Sequence, residues 1–113
     1  MHYHAEVWLK DLYGVEEQVS KALAPYEETD KGEGWWDWWR IGGRWAGVHD
    51  VCAVSLLSED FLCYTLVVDG QVFHKRGWDG NEFVDTEFGG HVLFQLYKLG
   101  ITDGFLITVD YHC

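Results

Sequence analysis

The sequence is short of positive charge. Eight lysines and arginines stand against 19 aspartates and glutamates, which gives a formal net charge of −11. Proteins that bind a nucleic-acid backbone need clustered cations, so we expect no direct binding of nucleic acid. Two interpretations of the acidity stay open. It keeps the chain soluble, or it steers a basic partner toward the chain, such as a protein that itself binds nucleic acid.

Signals for export, membrane insertion and disulfide formation are also lacking. The first residues, from Met1 to Glu6, contain no basic region followed by an apolar run, and no apolar stretch approaches the length of a membrane span. Cys52, Cys63 and Cys113 are odd in number and have no Cys-x-x-Cys spacing. We therefore expect reduced thiols in a cytoplasm and no contact with a membrane.

Motifs of familiar enzymes and cofactor sites are absent as well. The sequence contains no Gly-x-Ser-x-Gly elbow, no P-loop and no dinucleotide-binding fingerprint. Cys63 has no neighbouring His or Asp in the sequence that would mark it as a nucleophile, and we interpret it as a core residue. These absences favour a protein that binds over one that catalyses, and they predict no cofactor.

Aromatic and apolar residues, by contrast, are plentiful. Hydrophobic residues make up 48% of the 113 residues and aromatic residues 17%, with seven tryptophans. This composition predicts one folded domain over residues 1–113 rather than a disordered chain. So many aromatic rings cannot all be deeply buried, and exposed aromatic side chains mark interaction surfaces.

Residue periodicity predicts an α+β fold. Alternation predicts a first strand over 3–9 and a last strand over 105–111. An apolar stripe predicts a helix over 15–24, which Pro25 ends, and a second helix begins at 85 or 86 and ends at 99 before Gly100. Between the helices we expect strands over 51–57, 61–68 and 71–75, with a hairpin turn at Asp69-Gly70.

This order of elements predicts an antiparallel-rich sheet with both helices on one face. The first and last strands would be antiparallel neighbours, as in ferredoxin-like domains, with an extra hairpin strand and a Trp-rich loop added.

The Trp-rich loop is the most unusual segment, with five tryptophans among the eleven residues from Trp35 to Trp45. Two interpretations stay open. As a binding site, its glycines would let the backbone approach a ligand, its arginines would hold a phosphate or carboxylate, and its tryptophans would stack on a base or anchor a protein. As a lid, it would cover the sheet face that the helices leave bare. The candidate binding residues are Arg40, Arg44, Trp38, Trp39, Trp45, Gly42 and Gly43.

The two terminal strands bring together a second group of polar residues. If these strands pair, His2, His4 and Glu6 lie beside Thr108, Asp110 and His112. Such a group could bind a divalent metal or perform acid–base chemistry, with His2, His4, Asp110 and His112 as the candidate metal ligands. The spacing matches no defined metal motif, so we expect a solvated strand edge without a metal.

Three blocks of the sequence resemble a family of uncharacterised phage proteins. The blocks are Ala-Leu-Ala-Pro-Tyr-Glu-Glu at 22–28, Trp-Trp-Arg-Ile-Gly-Gly-Arg-Trp-Ala-Gly at 38–47, and Val-Asp-Tyr-His-Cys at 109–113. The middle block is the specific one. Many relatives are longer, with a cysteine-rich insertion after this block that the present chain lacks, so no metal role is carried over.

The resemblance implies a phage accessory protein that acts in the cytoplasm of a bacterial host. We expect it to bind a host protein, as a counter-defence (anti-CRISPR-like) protein or a host-takeover inhibitor. Two alternatives stay open: a protein that binds a nucleotide or another small ligand through the Trp-rich loop, and a small metal-dependent hydrolase that uses the terminal His and Asp residues.

Overall fold

A computed structural model describes all residues from 1 to 113 as an α+β fold, in which a six-stranded mixed sheet carries two helices. The strands are β1 (His2–Leu9), β2 (Trp38–Ile41), β3 (Val51–Ala53), β4 (Thr65–Val68), β5 (Gln71–His74), β6 (Arg76–Trp78), β7 (Phe83–Asp85) and β8 (Phe105–His112). The helices are α1 (Val15–Leu23) and α2 (Val92–Lys98), and short 3-10 turns cover Ala24–Tyr26, Gly43–Trp45 and Val54–Leu56. No helix has the length and apolarity that crossing a lipid bilayer requires.

Strand β8 lies inside the sheet and pairs with three other strands. It pairs antiparallel with β1 along its whole length, from His2 opposite His112 to Leu9 opposite Phe105. Its other edge is shared by β2 and β3, which follow one another along it. The expected pairing of the first and last strands is therefore confirmed.

The remaining main-sheet strands lie on the far side of β1. Strand β4 pairs with β1 in parallel, and β5 pairs with β4 antiparallel after the turn at Asp69 and Gly70, both of which have positive φ. A ferredoxin-like sheet pairs its first strand antiparallel with both neighbours. The parallel β1–β4 pair departs from that arrangement, so the ferredoxin-like expectation is not confirmed.

The expectation that both helices share one face of the sheet is wrong. Helix α1 packs on one face, here the α1 face, through Val19 and Leu23. Helix α2 packs on the opposite face, the α2 face, through Val92 and Leu96. The reason is visible in β4, where all four side chains are buried, so that both of its faces need a cover.

Several element boundaries also differ from the sequence-based expectation. The strand expected over 51–57 ends at Ala53 and continues as a 3-10 turn, and the strand expected over 61–68 begins only at Thr65. Helix α2 begins at Val92 because Gly89 and Gly90 take positive φ values of 56° and 89°, which interrupt a helix. Residues 76–85 form a separate hairpin, β6–β7, which was not among the expected elements.

The Trp-rich loop is more regular than its sequence indicates, since Trp38–Ile41 forms strand β2. Alternation along β2 sends Trp39 and Ile41 to the α1 face, where they pack on the core. Trp36 is also buried there, and its Nε1 donates a hydrogen bond to the carbonyl oxygen of Leu23 at 2.8 Å. Trp38 and Arg40 point to the α2 side of the sheet, opposite His112 and Asp110 in register.

Candidate functional site

A layer of buried polar side chains lies on the α2 face, where β1 and β8 run side by side. Glu6, Thr108 and Asp110 are at most 1% exposed. The expectation of a solvated strand edge is therefore wrong for these residues. The burial arises because the loop of residues 42–50 folds over this half of the α2 face, which helix α2 does not reach.

Glu6 is surrounded by donors. Nε2 of His4 lies 2.5 Å from one carboxylate oxygen, and the hydroxyl of Thr108 donates to the same oxygen at 2.8 Å. Nε2 of His49 lies 2.8 Å from the other oxygen. Burial acts to raise the pKa of Glu6, but the hydrogen bonds and charges of the two histidines outweigh it, so this pKa lies below its usual value. Glu6 is thus held as a buried anion.

Aromatic rings fix the two histidines that bind Glu6. The His4 ring stacks on Trp45, with ring centroids 5.5 Å apart and planes at 16°. Phe61 contacts both His4 and His49 on the other side, at centroid distances of 5.8 and 5.0 Å. Trp45 therefore covers Glu6 and its partners His4, His49 and Thr108, which we call the Glu6 cluster. This is the lid role, one of the two interpretations of the Trp-rich loop.

Asp110 is the second buried carboxylate, and it joins the strand edge to the Trp-rich loop. One oxygen lies 2.7 Å from Nδ1 of His2, and the other accepts the backbone N–H of Arg44 at 3.0 Å. Gly43 makes this contact possible. It has φ of 56°, and a Cβ at this position would lie 2.4 Å from the Asp110 carboxylate. Only glycine allows the backbone to pass so close to the buried acid.

An open pocket of about 470 Å³ lies beside this carboxylate. Arg40 and Arg44 line it and are both exposed, and neither guanidinium makes a hydrogen bond or an ion pair within the chain. Trp38 is 42% exposed at the same place, with its ring edge-on to His2 at 5.6 Å. Asp50 is the one exposed acid that lines the pocket.

The structure thus divides the sequence-predicted binding residues. Arg40, Arg44, Trp38, Gly42 and Gly43 line the pocket together with His2 and Asp110. Trp39 lies on the opposite face and belongs to the core, and Trp45 belongs to the Glu6 cluster. We call the site lined by Arg40, Arg44, Trp38, Gly42, Gly43, His2 and Asp110 the arginine pocket.

The candidate metal ligands do not converge on one point. His2 bonds Asp110, His4 bonds Glu6, and His112 bonds Asp37 at 2.8 Å on the surface. No group of three or more His, Cys, Asp or Glu side chains has an arrangement that could hold a metal ion. The metal-dependent hydrolase therefore has no geometric support.

His49 is the residue that sequence reasoning missed, because it has no motif around it and lies 43 positions from Glu6.

Comparison with protein-family models, with curated proteins and with solved structures finds no match for the chain. The functional argument therefore depends on the geometry of the arginine pocket, whose free guanidinium groups suit an oxyanion.

Proposed function

We propose that this chain is a phage accessory protein that binds a bacterial host protein through the arginine pocket, and thereby counters a defence or redirects a host process. The observation that supports this most is the pair of exposed arginines without a partner. With 19 acids in the chain, a free arginine has many candidate partners, and Arg76 does pair with Asp85 on the surface. Arg40 and Arg44 do not.

The composition of the pocket also favours a protein partner. Arginine and tryptophan are the residues most often found to dominate binding energy at protein interfaces. Here Arg40 and Trp38 lie on strand β2, and the backbone N–H of Arg44 is hydrogen-bonded to Asp110. Side chains on a fixed backbone lose less conformational entropy on binding than side chains on a mobile loop.

The phage setting is proposed from the resemblance of the three sequence blocks, and two of these blocks meet in the fold. Gly43 and Arg44 belong to the middle block, and Asp110 belongs to the C-terminal block. These residues meet at the Asp110 carboxylate. Two blocks that are far apart in the sequence thus build one wall of the same pocket.

The acidity of the chain suits a host partner that is basic overall. A net charge of −11 attracts such a partner over distances near the Debye length, about 8 Å at physiological salt, and raises the association rate. The arginine pocket would then bind one acidic group on that partner and set the register of the complex.

The test is affinity capture from bacterial lysate with four forms of the chain: the natural sequence, Arg40→Ala, Arg44→Ala and, as a matched control, Arg76→Ala. Arg76 is exposed but lies in the β6–β7 hairpin, away from the pocket. We expect one host protein to be retained by the natural chain and the control and to be lost with the two pocket variants, while circular dichroism shows an intact fold. Retention by all four forms would contradict the proposal.

A second candidate is a nucleotide or another small ligand. Its support is the pocket volume, which falls within the usual range for small-molecule sites, together with the exposed Trp38 ring at the rim. A thermal-shift screen with nucleotides separates this candidate from the first. A rise in melting temperature that disappears in Arg44→Ala, without any captured host protein, would favour it.

A further inference from the structure

His2 and the Trp-rich loop meet at Asp110. One carboxylate oxygen binds Nδ1 of His2, and the other accepts the backbone N–H of Arg44. A histidine that donates through Nδ1 to a carboxylate keeps Nε2 for another partner. In this structure Nε2 of His2 has no hydrogen bond, and the ring lines the same pocket as Arg40 and Arg44.

We propose that the arginine pocket is an oxyanion site for a phosphate monoester carried by the protein partner, with Arg40, Arg44 and His2 as its three donor groups. This inference rests on the proposed function, because the same surface would carry the partner. Asp110 is a positioning residue here. It holds the His2 ring through one oxygen and the Arg44 backbone through the other.

The number of donors favours a phosphate over a carboxylate. A phosphate monoester presents three terminal oxygens, whereas a carboxylate presents two. Two guanidinium forks and an imidazole N–H can serve three oxygens at once. The pocket is also roomy enough for a tetrahedral group.

The charges around the pocket allow an anion to enter despite the acidity of the chain. Asp110 is 1% exposed, and its charge is already met by His2 and by the Arg44 N–H. Asp50 is exposed to solvent and therefore screened. The two unpaired guanidinium groups are thus the dominant local charges at the mouth of the pocket.

His112 on β8 lies edge-on to the His2 ring, with ring centroids 5.4 Å apart, but it does not line the pocket. His112→Gln is therefore the control for the second histidine.

The test uses four probes on the whole chain, with binding followed by NMR at constant ionic strength. Sulfate is a tetrahedral dianion without a peptide or a base, so its affinity reports the oxyanion site alone. A phosphoserine peptide and its glutamate counterpart distinguish phosphate from carboxylate. Adenosine monophosphate distinguishes a free nucleotide from a protein-borne phosphate.

We expect saturable sulfate binding. Arg40→Gln and Arg44→Gln should each weaken it about tenfold, the usual scale for one charge-assisted hydrogen-bonding group. His2→Gln should weaken sulfate binding as well, whereas Arg76→Gln and His112→Gln should leave the affinity unchanged. The phosphoserine peptide should bind more tightly than the glutamate peptide.

Three results would overturn the inference. They are the absence of saturable sulfate binding, equal affinity for the phosphoserine and glutamate peptides, and tighter binding of adenosine monophosphate than of the phosphopeptide. Host-protein capture that depends on Arg40 and Arg44, without any sulfate binding, would remove the phosphate site and leave the proposed function standing. Sulfate binding without any captured host protein would contradict the proposed function and leave the oxyanion site standing.

Discussion

Glu6 is a buried anion that no lysine or arginine neutralises. Its partners are His4, His49 and Thr108, and the carboxylate is 0% exposed. A buried charge is tolerated only when its hydrogen bonds are complete, because each unmet acceptor costs roughly 1–3 kcal/mol. The stability of this part of the sheet therefore depends on the ionised state of one residue.

The stabilisation from Glu6 should disappear in acid. The pKa of Glu6 in the folded chain lies below its ordinary value of 4.5, so its contribution is fully present above about pH 4.5 and is lost as the pH falls through the lower folded-state pKa. We expect Glu6→Gln to lower the free energy of unfolding at pH 7 by roughly 1–3 kcal/mol. Urea denaturation at pH 7 and at pH 3 should show that this difference shrinks in acid.

Glu33→Gln is the control for this measurement, because Glu33 is an exposed acid whose carboxylate makes no side-chain hydrogen bond. Its unfolding free energy should stay within about 0.5 kcal/mol of that of the natural chain at both pH values. A Glu6→Gln difference that stays constant from pH 7 to pH 3 would mean that the charge of Glu6 contributes nothing to stability.

The sequence predicts which polar residues lie next to one another only where this follows from strand pairing. Alternation in the two terminal strands predicts that His2, His4 and Glu6 lie beside Thr108, Asp110 and His112 as a group, and the strand pairing brings the two sets together. It cannot predict that these residues are buried. Their burial depends on His49 and Trp45, which come from a distant loop whose path is set by the contact between Gly43 and Asp110.

At the scale of elements, the Trp-rich loop serves two purposes. Its first part supplies core side chains, of which Trp36 ties the loop to the end of helix α1. Strand β2 then sends alternate residues to opposite sides of the sheet, which leaves Trp38 in the arginine pocket. Whether a tryptophan of this loop covers the sheet or lines the pocket therefore differs from one tryptophan to the next.

Trp36→Ala and Trp38→Ala should separate these purposes. Trp36 is 7% exposed, so its truncation should lower the free energy of unfolding by about 3–5 kcal/mol. Trp38 is 42% exposed, and its truncation should cost less than about 1 kcal/mol. Chemical denaturation of the two variants measures both effects. Similar large losses for both would mean that the whole segment is a structural cover.

The secondary-structure pattern was readable where residue type and position agree. The Asp69-Gly70 turn has the positive φ values that its residues favour, and Gly100, with φ of 74°, follows the end of α2 as expected. The start of α2 was misplaced because Thr86 is a suitable cap by type. In the structure its hydroxyl accepts the backbone N–H of Gly89 and also donates to the carbonyl oxygen of His74, yet the helix begins only at Val92. Local propensity could not reveal this tertiary contact.

At the scale of the whole molecule, the fold class was within reach of the sequence and the layering was not. The chain has strands and helices in the expected order, but α1 and α2 pack on opposite faces. A strand that is buried on both faces has the same apolar sequence in two arrangements. In one, a helix covers each face of the sheet; in the other, both helices cover one face and a loop covers the other. The sequence pattern therefore could not decide between these arrangements.

The excess of acids should make the whole fold sensitive to salt. With a net charge of −11, like charges repel one another in the compact state, and added ions screen this repulsion. We expect the melting temperature to rise by roughly 2–5 °C between about 20 mM and about 500 mM sodium chloride. Differential scanning calorimetry measures this directly.

A variant with fewer exposed acids is the matched control for the salt effect. Glu28, Asp30 and Glu33 lie in one exposed loop, and their replacement by the corresponding amides removes three negative charges without touching the core. The salt-dependent rise in melting temperature should be smaller in this variant. An unchanged or larger rise would show that the ions act through something other than charge repulsion.

The pairing of β8 with three other strands has a consequence for the order of events during synthesis. A ribosome makes this strand after every other strand, roughly 5–20 seconds after β1 has been completed. During that interval β1 has no partner on one edge, and β2 and β3 have no strand to join. The nascent chain can form α1 and the β4–β5 hairpin, but neither the Glu6 cluster nor the arginine pocket exists until β8 has been made. Both polar centres therefore require β8, so a chain truncated before β8 would present open strand edges and neither polar centre.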